Sequence, residues 1–180
     1  MLKRFIRSRL GKYERDLGYD ATYLRDVLDA DLGAFLRFAR LQGVSTYRRD
    51  APKDVWYAAK IVGAMSEDCG PCTQLVVTMA ERDGVDGATL AAIVRGDLAA
   101  LPAEVALGVR FARAVLAHDP AADELREEIV RAWGKRALVS ISFSLVSARL
   151  YPTLKYAMGH GRACQRVLVG GAPIAVAHAS

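Results

Sequence analysis

Several features that would narrow a protein's class are scarce in this sequence. It has three cysteines in 180 residues, too few for a secreted scaffold held by disulfides. His118, His160 and His178 are scattered singly, without the spacing of metal ligands. No Pro/Ser-rich linker or change of composition divides the chain, and 52% hydrophobic with 25% charged residues is enough for one sizeable core. No apolar run approaches the length of a membrane span, and residues 1–10 are basic without the apolar centre of a signal peptide. These absences predict a single domain over residues 1–180, in a reducing cytoplasm, with neither a metal nor a cofactor.

Positive charge is present but local. The chain carries +5, and Lys3, Arg4, Arg7, Arg9, Lys12 and Arg15 against Glu14 place all of it in the first fifteen residues, leaving nineteen positive and nineteen negative side chains elsewhere. A neutral body argues against a nucleic-acid partner. In the same segment Leu2, Phe5, Ile6, Leu10, Tyr13 and Leu17 recur at three and four residues, which predicts an amphipathic basic helix ending near Gly18. Such a helix can touch an anionic membrane surface, or lay its apolar face on its own core or on a second subunit.

The remainder reads as helix after helix. Asp20 and Asp31 are candidate caps for two short helices in residues 1–50, the second stopped by Gly43 and followed by a polar loop from Val44 to Asp50. Pro52 opens a helix with Val55, Trp56, Ala59, Val62 and Met65 on one stripe, and Cys72, Leu75, Val76 and Met79 continue the pattern to Gly84. Pro102 opens another helix, and a further one ends at Gly134. The stretch Val139-Ser140-Ile141-Ser142-Phe143-Ser144-Leu145 alternates with period two, as a strand would. It is nonetheless predicted to be helix, because no second strand signal is there to pair with it. Residues 170–180 read as a loose tail.

Reactive chemistry concentrates between two of these helices, in Glu67-Asp68-Cys69-Gly70-Pro71-Cys72. Two cysteines three apart at a helix start can close a small disulfide ring, and the helix N-terminus favours a thiolate. Pro71 fits the first turn, where its missing N–H costs nothing. The candidate site is therefore Cys69 and Cys72, with Glu67 as the nearest carboxylate, either a base or a charge complementing the helix dipole. Zinc would need two further ligands, which Cys164 and the single histidines do not supply at ligand spacing. Two inert buried cysteines are the plain alternative.

From about Pro52 to Met158 the chain resembles the AhpD-like, or carboxymuconolactone decarboxylase-like, superfamily. The resemblance rests on the apolar helix leading into Cys69-Gly70-Pro71-Cys72, then Gly84-Val85-Asp86, a short helix with Leu90, Ile93 and Val94, Gly96-Asp97, and Phe111-Ala112-Arg113-Ala114-Val115. It implies an all-α orthogonal helical bundle with the Cys-x-x-Cys at a helix N-terminus, behind a helical extension over residues 1–50. It also implies a homo-oligomer, and a thiol-disulfide oxidoreductase that reduces peroxides or partner disulfides and is reset by a protein or small-thiol reductant. The family's glutamate and histidine relay positions are Tyr57 and Val76 here, so the usual proton path is missing and peroxide reduction should be slow. A non-redox decarboxylase using Arg48, Arg49 or Lys60, and a non-catalytic oligomeric scaffold, are the alternatives.

Overall fold

A computed structural model describes residues 1–162 and 166–177; Cys164 and His178 lie outside the described residues. The chain is predominantly helical, as its periodicity predicts. In chain order the helices are α1 (Leu2–Leu17), α2 (Thr22–Ala30), α3 (Leu32–Ala39), α4 (Leu41–Ser45), α5 (Lys53–Met65), α6 (Gly70–Arg82), α7 (Gly87–Arg95), α8 (Ala103–Ala117) and α9 (Ala121–Ala157). A short 3-10 turn spans Leu98–Ala100, and a hairpin of β1 (Arg166–Val169) and β2 (Ala172–Ala175) follows α9.

The main core is built round α5, in which every residue from Val55 to Ala64 is buried. A helix that is apolar on all sides must be enclosed on all sides, and α8, α9, α6 and α7 do this. Close approach comes from small residues. A Cβ on Gly63 would lie 2.7 Å from the Leu145 carbonyl oxygen, and one on Gly108 would lie 2.7 Å from Val55. The alternating serines of α9 serve the same packing: Ser140, Ser144 and Ser147 are buried, and Ser144 Oγ donates to the Trp56 carbonyl at 2.8 Å. Ser140 Oγ accepts from the Arg49 N–H at 2.8 Å. The period-two stretch is thus helix, as predicted, with Ser140 and Ser144 inward and Val139, Phe143 and Val146 outward.

Gly134 breaks the helical path of α9 with φ 83°, at the residue where the sequence places a helix end. By length and composition α9 holds a window apolar enough to cross a membrane, with mean hydropathy 1.3 and 44% of that window buried inside the protein. The sequence has no unbroken apolar run of that length there, and the buried part of the window is the face that packs on α5.

Helices α1 to α4 form a second layer against the α6 N-terminus and the end of α9. Asp31 caps α3 by accepting from the Gly33 N–H at 2.6 Å. Asp20 accepts from the Thr22 N–H at 2.9 Å, although the capping position of α2 is Ala21. Gly43 does not stop a helix but lies inside α4, so the loop starts at Thr46. Glu14 of α1 accepts from the Ala21 N–H at 2.9 Å and pairs with Arg25, which fastens α1 to α2.

Of the loose tail expected over residues 170–180, residues 178–180 lie outside the described residues, and the earlier part is corrected by the hairpin, which pairs Val169 with Ala172 and Arg166 with Ala175. Gly170 and Gly171 have φ of 55° and 79°, the left-handed pair that a tight two-residue hairpin turn needs. The strands are short, but Val167 and Val169 are buried. Gln74 of α6 grips the β1 edge by donating to the Leu168 carbonyl at 3.0 Å and accepting from its N–H at 2.7 Å.

Candidate functional site

Cys69 is the N-cap of α6, with extended backbone (φ −108°, ψ 99°), and Pro71 sits in the first turn. The Cys69 carbonyl accepts from the Thr73 N–H at 2.9 Å, the first bond of the helix. Ahead of it Asp68 turns at φ 47°. The Gly70 N–H, an orphan of the helix start, donates to the Arg162 carbonyl at 3.0 Å. That contact depends on a tight fold-back after α9, for a Cβ on Gly161 would fall 2.0 Å from the Tyr156 ring. The Tyr156 hydroxyl in turn donates to the Asp68 carbonyl at 2.8 Å.

The two thiols are free, and the Cys72 Sγ stands 2.8 Å from Cys69 Sγ. A disulfide at about 2.05 Å therefore needs only a small closing motion. Cys69 is 0% exposed and Cys72 4%. Cys69 is lowered to about 7, first by the hydrogen bond from the Cys72 thiol and against burial, with help from the Cys72 N–H, the Lys155 ammonium and the backbone at Arg162. Cys72 is pushed up, because it donates to Cys69 and is itself buried. The pair gives up its first proton readily and holds the second, as two acids sharing one proton do.

Lys155, late in α9, is 1% exposed and was not singled out from the sequence. Its ammonium donates to the Asp20 carbonyl at 2.9 Å and lies 4.5 Å from the Tyr19 ring centroid and 5.5 Å from that of Tyr23. Among the described residues it has no carboxylate partner. The Tyr19 hydroxyl is 3.3 Å from that of Tyr23 and 3.5 Å from Cys72 Sγ. Burial raises the Tyr19 and Tyr23 phenols, so both keep their protons. The sulfurs are thus surrounded by one buried cation and neutral hydroxyls.

Cys72 also lines a cavity of about 510 Å³ between α1–α4 and the faces of α5, α6 and α9. Ile6, Leu10, Phe35, Leu75 and Val76 are among its walls, and its size is that of a small-molecule pocket. Cys69 is not part of this lining, so Cys72 is the cysteine of the pair that stands at the cavity.

Glu67 is not brought to the sulfurs. Its carboxylate accepts from Arg149 Nε at 2.5 Å and from the Thr153 hydroxyl at 3.1 Å, which anchors the pre-cysteine turn to α9. Tyr57 is a core tyrosine whose hydroxyl donates to the Met79 carbonyl at 3.4 Å. Burial raises it to about 12. Val76 lines the cavity one turn beyond Cys72. His160 pairs with Asp26 at 2.7 Å. Arg48 and Arg49 are exposed, and of the three cations considered for a decarboxylase only Lys60 reaches the cavity. Among the described residues no group of three or more His, Cys, Asp or Glu side chains is placed to hold a metal ion.

Compared with protein-family models, curated proteins and solved structures, the chain gives no match. What it does therefore has to be argued from the site itself.

Proposed function

We propose that the protein is a dithiol oxidoreductase of AhpD-like character, in which Cys69 and Cys72 reduce a peroxide or a disulfide that enters the cavity. The observation that carries this is the sulfur pair itself: two free thiols 2.8 Å apart at a helix N-terminus, one facing a cavity. Inert core cysteines need neither a buried ammonium nor an opening.

Cys69 takes the part of the absent relay. It accepts the Cys72 proton, and the Cys72 sulfur then attacks a substrate sulfur or the outer oxygen of a peroxide. The S–S or O–O bond breaks, and the leaving thiolate or alkoxide takes that proton from Cys69, which is then a thiolate again. Cys69 next attacks the Cys72 sulfur, which forms the protein disulfide and expels a second thiol or, from a sulfenic acid, water. Two hydrogens pass to the substrate, and a protein or small-thiol reductant restores them. Lys155 favours the thiolate without moving a proton itself. This chemistry suits a reducing compartment, the cytoplasm.

Reduced protein, freed of reductant and given cumene hydroperoxide or oxidised glutathione, is expected to yield one alcohol or two thiols per chain. Cys69→Ser and Cys72→Ser each remove that conversion. Wild-type protein that leaves both substrates untouched contradicts the reading.

Self-association is proposed on a separate observation. Val139, Phe143 and Val146 lie at helical spacing on α9 and are 41%, 38% and 53% exposed, while Ser140, Ser144 and Ser147 beside them are buried. A stripe of this kind invites a second copy. Light scattering is expected to return an oligomer that Phe143→Glu dissociates, and a wild-type monomer at micromolar concentration would contradict it.

A further inference from the structure

The cavity that Cys72 lines also holds a feature that the thiol chemistry does not use. Lys60 comes from the middle of α5, the most buried helix, and is 3% exposed. Its ammonium donates to the Ser45 carbonyl, lies 3.2 Å from Ser45 Oγ and sits 4.0 Å from the Trp56 ring centroid. No carboxylate pairs with it among the described residues. An ammonium has three donors, and Ser45 engages at most two of them. Burial lowers Lys60 to about 7, as expected for a cation with only neutral company.

The lining has no acidic residue. Its charged members are Lys60 and, on the exposed side of α1, Arg9; its other polar groups are hydroxyls, an amide and the Cys72 thiol. Tyr151 also lines the cavity, with its hydroxyl donating to Gln42 at 3.4 Å. The rest of the wall is aliphatic and aromatic. A site that offers an unpaired cation and hydrogen-bond donors within an apolar enclosure complements an anion carried on a hydrocarbon chain.

We propose that this cavity is a binding site for an apolar monocarboxylic acid, whose carboxylate pairs with Lys60 beside Ser45 and Tyr151 and whose chain fills the space lined by Leu10, Phe35 and Leu75. The carboxylate supplies the counter-charge that the fold withholds from Lys60, and the chain replaces apolar wall exposed to water. Binding does not depend on the thiols reacting, so it stands or falls apart from the redox function.

Calorimetric titration of the full chain with dodecanoate, 1-dodecanol and dodecyltrimethylammonium at pH 6.5 tests this. Dodecanoate is expected to bind at least about tenfold more tightly than the alcohol, the discrimination that one charge-assisted contact supplies, and the cationic amphiphile weakest. Lys60→Met, shown to be folded by circular dichroism, is expected to lose the preference and bind acid and alcohol alike. Should Lys60→Met fail to fold, the wild-type comparison of acid with alcohol and cationic amphiphile decides. Wild-type protein that does not prefer the acid, or a folded Lys60→Met protein that retains the preference, overturns the proposal.

Discussion

The two buried clusters of this protein are made of different material. The one centred on α5, α8 and α9 is mostly aliphatic, with Trp56, Tyr57 and Phe111 among its members; the serines packed into it, Ser140 and Ser144, are neutral hydroxyls tied to neighbouring backbone, and its one buried cation, Lys60, stands at its edge on the cavity. The one at the start of α6 contains Tyr19, Tyr23, Cys69 and Cys72, with Lys155 against its rings. Both satisfy their polar atoms: no buried side-chain N or O among the described residues lacks a partner. The difference lies in ionisation. Serines have no charge to gain, whereas the two thiols, held together beside phenols and an ammonium, have their proton affinities pushed apart. The first cluster is arranged to exclude water and the second to hold a proton where it can be moved.

Substitutions can sharpen or break that contrast. The largest expected effect is on stability, in the first cluster. Ile61→Ala removes most of a fully buried side chain, and denaturant unfolding should show a loss of about 2–5 kcal/mol. Gly63→Ala forces a methyl group onto the Leu145 carbonyl and should cost about 1–3 kcal/mol. The surviving folded protein of either variant should keep the wild-type pH profile of thiol alkylation; a shifted profile would mean that the clusters are not separate.

Lys155→Met acts on the second cluster. It removes the cation that helps to lower Cys69, so the alkylation midpoint should move up while the variant stays folded. An unmoved midpoint would leave the Cys72 thiol and the backbone at Cys72 and Arg162 as the causes of the low Cys69 value.

Stability against pH tests the lone amine of the cavity. Lys60 is lowered from 10.5 to about 7, so the unfolded chain binds more protons than the folded one between those values. Stability should therefore rise with pH from about 7 to about 10. Cys69, lowered from 9.0 to about 7, adds to the rise below pH 9. Cys72, pushed up, opposes it above pH 9. Thermal unfolding of Lys60→Met across this range should show a flatter rise than wild type, and equal slopes would show Lys60 to be charged throughout.

The smallest effect is expected from Glu67→Gln. The Glu67–Arg149 pair is partly exposed, with side-chain accessibilities of 18% and 49%, so its loss should cost no more than about 1 kcal/mol. The rate-versus-pH curve should not move, since the carboxylate is engaged with α9 rather than the sulfurs. A displaced curve would restore Glu67 as a base.

Local signals carried much of this in the sequence. The period of the apolar residues, Pro52 and Pro102 at helix starts, and Gly18 and Gly134 at breaks mark most of the helices, and the spacing of Cys69 and Cys72 round Pro71 marks the turn that holds them. Side-chain assembly over long separations was not legible. Lys155 reaches the thiols from 83 residues beyond Cys72, and only its place on the face of Ala148 and Pro152, in step with buried positions, hints at burial. Lys60 is a clearer case, one cation inside an otherwise apolar run from Val55 to Ala64. The hairpin was missed because its strands are four residues each and are held by α6 rather than by length. Its signal was Gly170-Gly171 between Val169 and Ala172.

The central claim is that Cys69 and Cys72 act as one acid and one redox couple. Rapid alkylation of the native protein across pH 5–10, read by peptide mass on the segment containing both cysteines, before and after mild oxidation and again after reduction, tests it most directly. The account predicts one cysteine of the pair reacting with a midpoint near 7, complete protection with loss of two hydrogens on oxidation, and full recovery on reduction. Two thiols that resist alkylation in the folded protein and never lose those hydrogens would contradict it.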